Sequence, residues 1–116
     1  MNIDHLHEGP RMNQVVVYNG IVYLSGQTAG DAGDDVQSQT RAVLKKIDGN
    51  LESAGSERSR LLSASIWLSD IGHDFQLMNE VWQEWIADDP KPVRATVEAN
   101  LARPELKVEI QVIAAL

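Results

Sequence analysis

Cysteine is absent from this 116-residue chain, which excludes disulfides and thiol chemistry and leaves the compartment unreadable from redox usage. Long apolar runs are absent as well, and no stretch approaches the ~20 residues that a membrane-spanning helix needs. Positive charge is scarce. Ten Lys and Arg stand against 17 Asp and Glu, for a net charge of −7, and no Lys/Arg cluster offers the several cationic contacts that a phosphate backbone demands. A small anion is a different matter, because one local Arg can override the overall field. The segment Met1 to Pro10 is polar, with two His and two acids. It does not resemble a signal peptide, so a cytoplasmic protein is expected. The length fits a single domain over residues 1–116, large enough to bury one core and remove roughly 65% of the unfolded surface from water.

Along the chain, Met1 to Arg11 carries Gly9 and Pro10 and no apolar period, and it is read as a lead-in arm. His5 and His7 would share a face if extended. No third ligand lies nearby, where zinc needs three or four, so no metal site is assigned. Gln14 to Tyr18 and Ile21 to Ser25 are short runs rich in Val, Ile and Tyr, joined by Asn19-Gly20. That pair supplies the positive φ angles of a two-residue hairpin. Ser25-Gly26-Gln27 follows, with Gly26 marking either a close approach of another group or an ordinary loop entry. Asp34 or Asp35 can cap a helix whose apolar positions are Val36, Val43, Leu44, Ile47 and Leu51, ending near Ala54-Gly55.

Leu61 to Leu68 alternates Leu62, Ala64, Ile66 and Leu68 against Leu61, Ser63, Ser65 and Trp67, and neither face is polar. Asp74 can cap a second helix reaching about Ile86, with Phe75, Met78, Val81, Trp82 and Trp85 as its inner stripe. The segment Asp88 to Pro92 breaks it. The predicted order is β-β-α-β-α-β-β, a mixed α+β sheet. Two helices cover only one side of such a sheet. The other side, expected to carry Trp67, Leu61, Thr96, Gln111 and Ile113, is too apolar for water and is expected to pack against other copies of the chain.

The last quarter of the chain holds the candidate chemistry. In one strand Arg94, Thr96 and Glu98 share a face. In the next, Val108, Ile110, Val112 and Ala114 line one face, and Lys107, Glu109, Gln111 and Ile113 the other. Arg94 and Glu109 are thereby expected to project from the less apolar side of the sheet, as a guanidinium and a carboxylate serving one site.

Four motifs occur in order: Ser25-Gly26-Gln27 after a strand, Asp70 followed by Met78-Asn79-Glu80, Pro92-Val93-Arg94-Ala95-Thr96-Val97, and Lys107-Val108-Glu109-Ile110. Together, from about Pro10 to Leu116, they resemble the RidA/YjgF/YER057c/UK114 family of reactive-intermediate deaminases. Arg11-Met12 and Ala102-Arg103-Pro104 resemble its YoaB-like branch most. The resemblance implies a chorismate mutase-like fold and a homotrimer whose sheets close into a central barrel, with clefts at the subunit interfaces. It also implies that a central strand separates the two C-terminal strands, so that Arg94 and Glu109 meet in an interface cleft.

The activity implied is cofactor-independent hydrolysis of 2-imino or enamine acids to 2-oxo acids and ammonia. Arg94 would bind the substrate carboxylate, which its planar fork of donors suits, and Glu109 would activate water. Backbone groups around Gly26 and Thr96 match positions lining the cleft, with Ser25 and Asn79 at its edge. Arg11 is a candidate second cation, since Arg11-Met12 stands where the RidA branch has Tyr after the lead-in Gly-Pro. The alternative is a non-catalytic trimer in which Arg94 clamps a small carboxylate or amino-acid metabolite. A ribonuclease reading fits least with a net charge of −7 and no basic groove.

Overall fold

In the computed structural model, which describes residues 1–116, the chain runs β1 (Asp4–Glu8), β2 (Asn13–Tyr18), β3 (Ile21–Leu24), α1 (Val36–Ser53), a 3-10 turn (Arg58–Arg60), β4 (Leu61–Leu68), α2 (Ile71–Ile86), β5 (Val93–Glu98) and β6 (Val108–Ala115). All six strands form one sheet in the order β1-β2-β3-β6-β4-β5. Only β4 and β5 run parallel, and α2 is the crossover that a parallel pair requires. The long return from β5 brings β6 into the gap between β3 and β4, so β4 separates the two C-terminal strands as expected.

The local signals act where they were read. Asn19 and Gly20 adopt φ of 53° and 75°, the two left-handed residues of a tight hairpin. Asp35 caps α1, its Oδ2 accepting from Ser38 N at 2.9 Å, and Gly55 takes φ +82° just past the end. Val36, Val43, Leu44, Ile47 and Leu51 are all buried, and they belong to a 22-residue core between the helices and one face of the sheet. Gln39 is fully buried within that layer. Its Nε2 donates to Gly33 O and Glu105 O, and its Oε1 accepts from Lys107 N at 2.8 Å, so the entry to β6 is fixed against α1.

Five expectations are corrected. The lead-in arm contains a strand: residues Asp4–Glu8 pair with β2, because Leu6 opposite Val15 completes the core edge. Asp70, not Asp74, caps α2, with Oδ1 accepting from His73 N. Asp74 lies buried in the first turn, paired with His73, and Phe75 turns outward. A bulge between Leu61 and Ser63 breaks the alternation in β4. Leu61 thus enters the core while Leu62 is exposed, the reverse of a strict period-two reading. Finally, Thr96 faces the helices and not the open side, as the register described below requires.

Candidate functional site

Strand β5 is an edge strand whose side chains are assigned to faces by its partner. Arg94 pairs with Ala64, Thr96 with Ile66 and Glu98 with Leu68. Residues paired across strands point to the same face, and Ala64, Ile66 and Leu68 are buried in the core, so Arg94, Thr96 and Glu98 lie on the helix side. Contacts agree. The Arg94 guanidinium sits 5.5 Å from the Trp82 ring centroid, a cation over an aromatic face, and Glu98 Oε1 accepts from Ile71 N at 3.0 Å, tying the end of β5 to the start of α2.

Arg94 is half-buried, and burial pulls its pKa below the ordinary value, while arginine remains a cation at any working pH. The ion pairs of the chain join Arg58 to Asp48 and Asp89, His73 to Asp74, and Arg103 to Glu105. None involves Arg94, and its guanidinium makes no hydrogen bond within the chain. Two residues along, Thr96 Oγ1 is buried without a partner. Native polar groups seldom remain unpaired, and the Thr96 hydroxyl is closed off from solvent while the Arg94 guanidinium is partly accessible. Asn79, Trp82, Gln83, Ile86, Lys91 and Arg94 line a hollow of about 350 Å³.

Glu109 belongs to the opposite face. It pairs with Trp67, which pairs in turn with Val97. Its carboxylate lies against Gly26: a Cβ built on that glycine would fall 2.2 Å from Oε2. The absence of a side chain at Gly26 leaves the space that this carboxylate occupies, a close approach of the kind a strand-end glycine permits. The neighbouring backbone is pinned by Gln27 N donating to Ile110 O at 2.9 Å and Ile110 N donating to Gln27 O at 3.1 Å. Ser25 Oγ donates to Gln14 Oε1 at 2.8 Å, and Gln27 Nε2 donates to the same oxygen at 2.7 Å. Arg11 lies exposed in the turn joining β1 to β2, at the Gln14 end of β2.

The expectation that Arg94 and Glu109 project from one side of the sheet is thus corrected. They lie on opposite faces, three residues apart in register and two strands apart, roughly 14 Å between backbones at standard strand spacings. The predicted site residues fall into two sets. Arg94, Thr96 and Asn79 gather at the β5 edge under α2, whereas Glu109, Gly26 and Ser25 gather on the helix-free face, with Arg11 toward the same end. One chain cannot bring the sets together. Trp82 and Lys91 were not singled out for the site from the sequence: Trp82 reads as core stripe and Lys91 as part of a helix breaker. The signal available was the nearness of Lys91 to Arg94 across Pro92. No three His, Cys, Asp or Glu side chains converge in a metal-holding group, His5 and His7 included, and no helix is long and apolar enough to cross a membrane.

Two helices on one face of a mixed sheet in this strand order define a protein of the chorismate mutase-like fold found in the YjgF proteins. The family model described as Endoribonuclease L-PSP matches residues 5–116. A RutC family protein of Haemophilus ducreyi is 42% identical over 106 residues, covering 91% of this chain and 90% of its own. The RutC family protein YoaB of Escherichia coli is 38% identical over 116 residues, the whole of both chains. Among solved structures, a YjgF family member from Neisseria meningitidis, 42% identical, matches with a TM-score of 0.94 over 99% of this chain and 95% of its own. The chain belongs to the RidA/YjgF family, in its YoaB-like branch.

Proposed function

We propose that the protein hydrolyses reactive 2-imino or enamine acids to 2-oxo acids and ammonia in the cytoplasm, at sites built between copies of a homotrimer. The observation that carries this reading is the half-buried Arg94 guanidinium, seated on Trp82 with no partner of its own. A planar fork of donors in that state is prepared for a carboxylate. The reaction class is taken from the resemblance to reactive-intermediate deaminases; the matches themselves place the chain in the family.

Assembly supplies the second half of the chemistry. The helix-free face presents Trp67, Ile113, Tyr23, Leu62 and Val97 to its surroundings, and Val97 is 51% exposed. An apolar face of this kind is buried when copies associate. A second copy then brings its own Glu109 to the Arg94 edge of the first. With the carboxylate held by Arg94, the C=N carbon faces the Glu109 of the neighbouring copy. Glu109 takes a proton from water as the oxygen adds to that carbon. That proton passes to nitrogen to give the carbinolamine; the hydroxyl proton then moves, through Glu109, to the same nitrogen as the C–N bond breaks and the C=O forms, and ammonia leaves the 2-oxo acid. This balances one water against one imine and needs no redox partner.

The test is release of ammonia and 2-oxo acid from an imine generated in solution, with wild type compared to Arg94→Ala. Acceleration by the wild type that is lost in the variant supports the proposal. Carboxylate binding without acceleration would replace it by the non-catalytic reading, in which Arg94 clamps a metabolite and Glu109 receives an ammonium group.

A further inference from the structure

Of five hollows on this surface, four include at least one carboxylate among their lining residues: Asp34, Asp35, Asp70 and Asp74 between the helix N-termini, Asp48, Glu52, Glu57 and Asp89 near Arg58, Glu84 beside Arg41, and Asp31 with Glu105 beside Lys46. The hollow at Arg94 differs. Its lining holds two cations, Lys91 and Arg94, and no acid, in a chain with 17 acids against ten bases. A doubly positive pocket in so acidic a protein selects for negative charge in what it holds.

The two cations are built differently. Arg94 is planar, half-buried and without a partner. The Lys91 ammonium is anchored by the carbonyls of Ala87 and Asp89, each at 3.1 Å, which leaves one of its three protons for a ligand. Pro92 stands between them with its fixed φ, so the position of Lys91 relative to β5 is restricted. Asn79 and Gln83, one turn apart on α2, add neutral amides to the same lining.

We propose that the ligand of this site is a dianion, a 2-imino dicarboxylate and its 2-oxo dicarboxylate product, with the carboxylate next to the imine carbon on Arg94 and the distal carboxylate on Lys91. This rests on the reaction proposed above for its imine form, but the charge preference belongs to the hollow itself. An enzyme acting upstream would be one that converts an acidic 2-amino acid to its imine, such as a flavin oxidase using O₂.

Two measurements on the assembled protein test the proposal separately from the reaction. Binding of 2-oxopentanedioate is compared with that of 2-oxobutanoate, by calorimetry, for wild type and Lys91→Gln. The corresponding imines, made in solution by an amino-acid oxidase with catalase present, are compared as substrates. The expected result is a wild-type preference for the diacid of about tenfold or more in Kd, falling by about tenfold in Lys91→Gln, with the same change in kcat/KM carried by KM. Equal or weaker wild-type binding of the diacid overturns the proposal, as does a Lys91→Gln variant that keeps the diacid preference. Diacid binding that depends on Lys91 without imine hydrolysis upholds it and removes the reaction. Hydrolysis of the monoacid imine without a diacid preference does the converse.

Discussion

The two faces of the sheet share their strands but not their solution to the problem of water. On the helix side, alternate residues of β4 and β6 are sealed under α1 and α2, with Ile66, Leu68, Val108, Ile110 and Val112 essentially inaccessible. On the other side, Trp67, Ile113 and Tyr23 are only partly covered. At the β5 edge of the sealed face Arg94 stands over Trp82 without an ion-pair or hydrogen-bond partner, in a hollow lined by α2. The open face has one carboxylate set against a glycine. Folding therefore finishes one face and leaves the other partly uncovered, and the polar residues are divided between the two, a division that the proposed association of copies would undo.

The strongest way to break this contrast is to disable each half separately. Arg94→Ala and Glu109→Gln should each lower imine hydrolysis by about 100-fold or more, one by losing substrate orientation and the other by losing the base. Mixed after co-refolding, the two inactive chains should regain activity at about a quarter of the sites, since a cleft drawing its cation from one copy and its acid from the next is sometimes intact. No recovery on mixing would place both groups in one chain, contrary to the opposite-face geometry.

A smaller lesion sharpens the same contrast. In Gly26→Ala the new methyl occupies the place of the Glu109 carboxylate, 2.2 Å from Oε2, and the acid must swing away. An expected loss of about tenfold to a hundredfold should fall on kcat, while KM, set by the Arg94 side, stays within about twofold. Steady-state kinetics with the best imine substrate decide it. A rise in KM equal to the fall in kcat would mean that the two halves do not act separately.

How far the sequence announced this division is clear from particular residues. Asn19-Gly20 and the Asp35-to-Gly55 helix were legible because their causes are local: φ preference, capping and a 3.6-residue period. Strand β1 was not, since its five residues DHLHE hold one apolar side chain, and pairing with β2 rather than propensity makes it a strand. The bulge at Leu62 carries no mark in LLSASIWL. Alternation shows that Arg94 shares a face with Thr96, but not which face. The β4 register decides that, through contacts thirty residues apart in the chain and beyond the reach of a local pattern. The resemblance nominates the candidate residues one by one, and their partition between two faces comes only from the fold.

The sealed face can be tested without touching the site. Gln39 is fully buried, and Gln39→Leu would leave Lys107 N, Gly33 O and Glu105 O without their partner. A cost of about 2–4 kcal/mol is expected from these orphaned groups. Chemical denaturation at fixed protein concentration measures it, and a change below about 0.5 kcal/mol would mean that water replaces the amide.

The smallest effect is expected at the start of α2. Asp74, buried, accepts from or pairs with His73 Nδ1 at 2.6 Å, and this hydrogen bond, reinforced by the charge of Asp74, raises the His73 pKa above its ordinary value. A group whose pKa is raised by folding stabilises the native state fully below its unfolded value near 6.5. That contribution is lost as pH rises through the raised value. Wild type should therefore lose a small part of its Tm advantage over His73→Gln between about pH 6 and pH 9, where the exposed imidazole gives up its proton. Asp74→Asn should return the His73 resonance in an NMR titration towards its ordinary midpoint. Because His73 touches neither half of the proposed site, the pH profile of imine hydrolysis should be the same with and without it, and a shifted profile would extend the functional region to the helix N-termini.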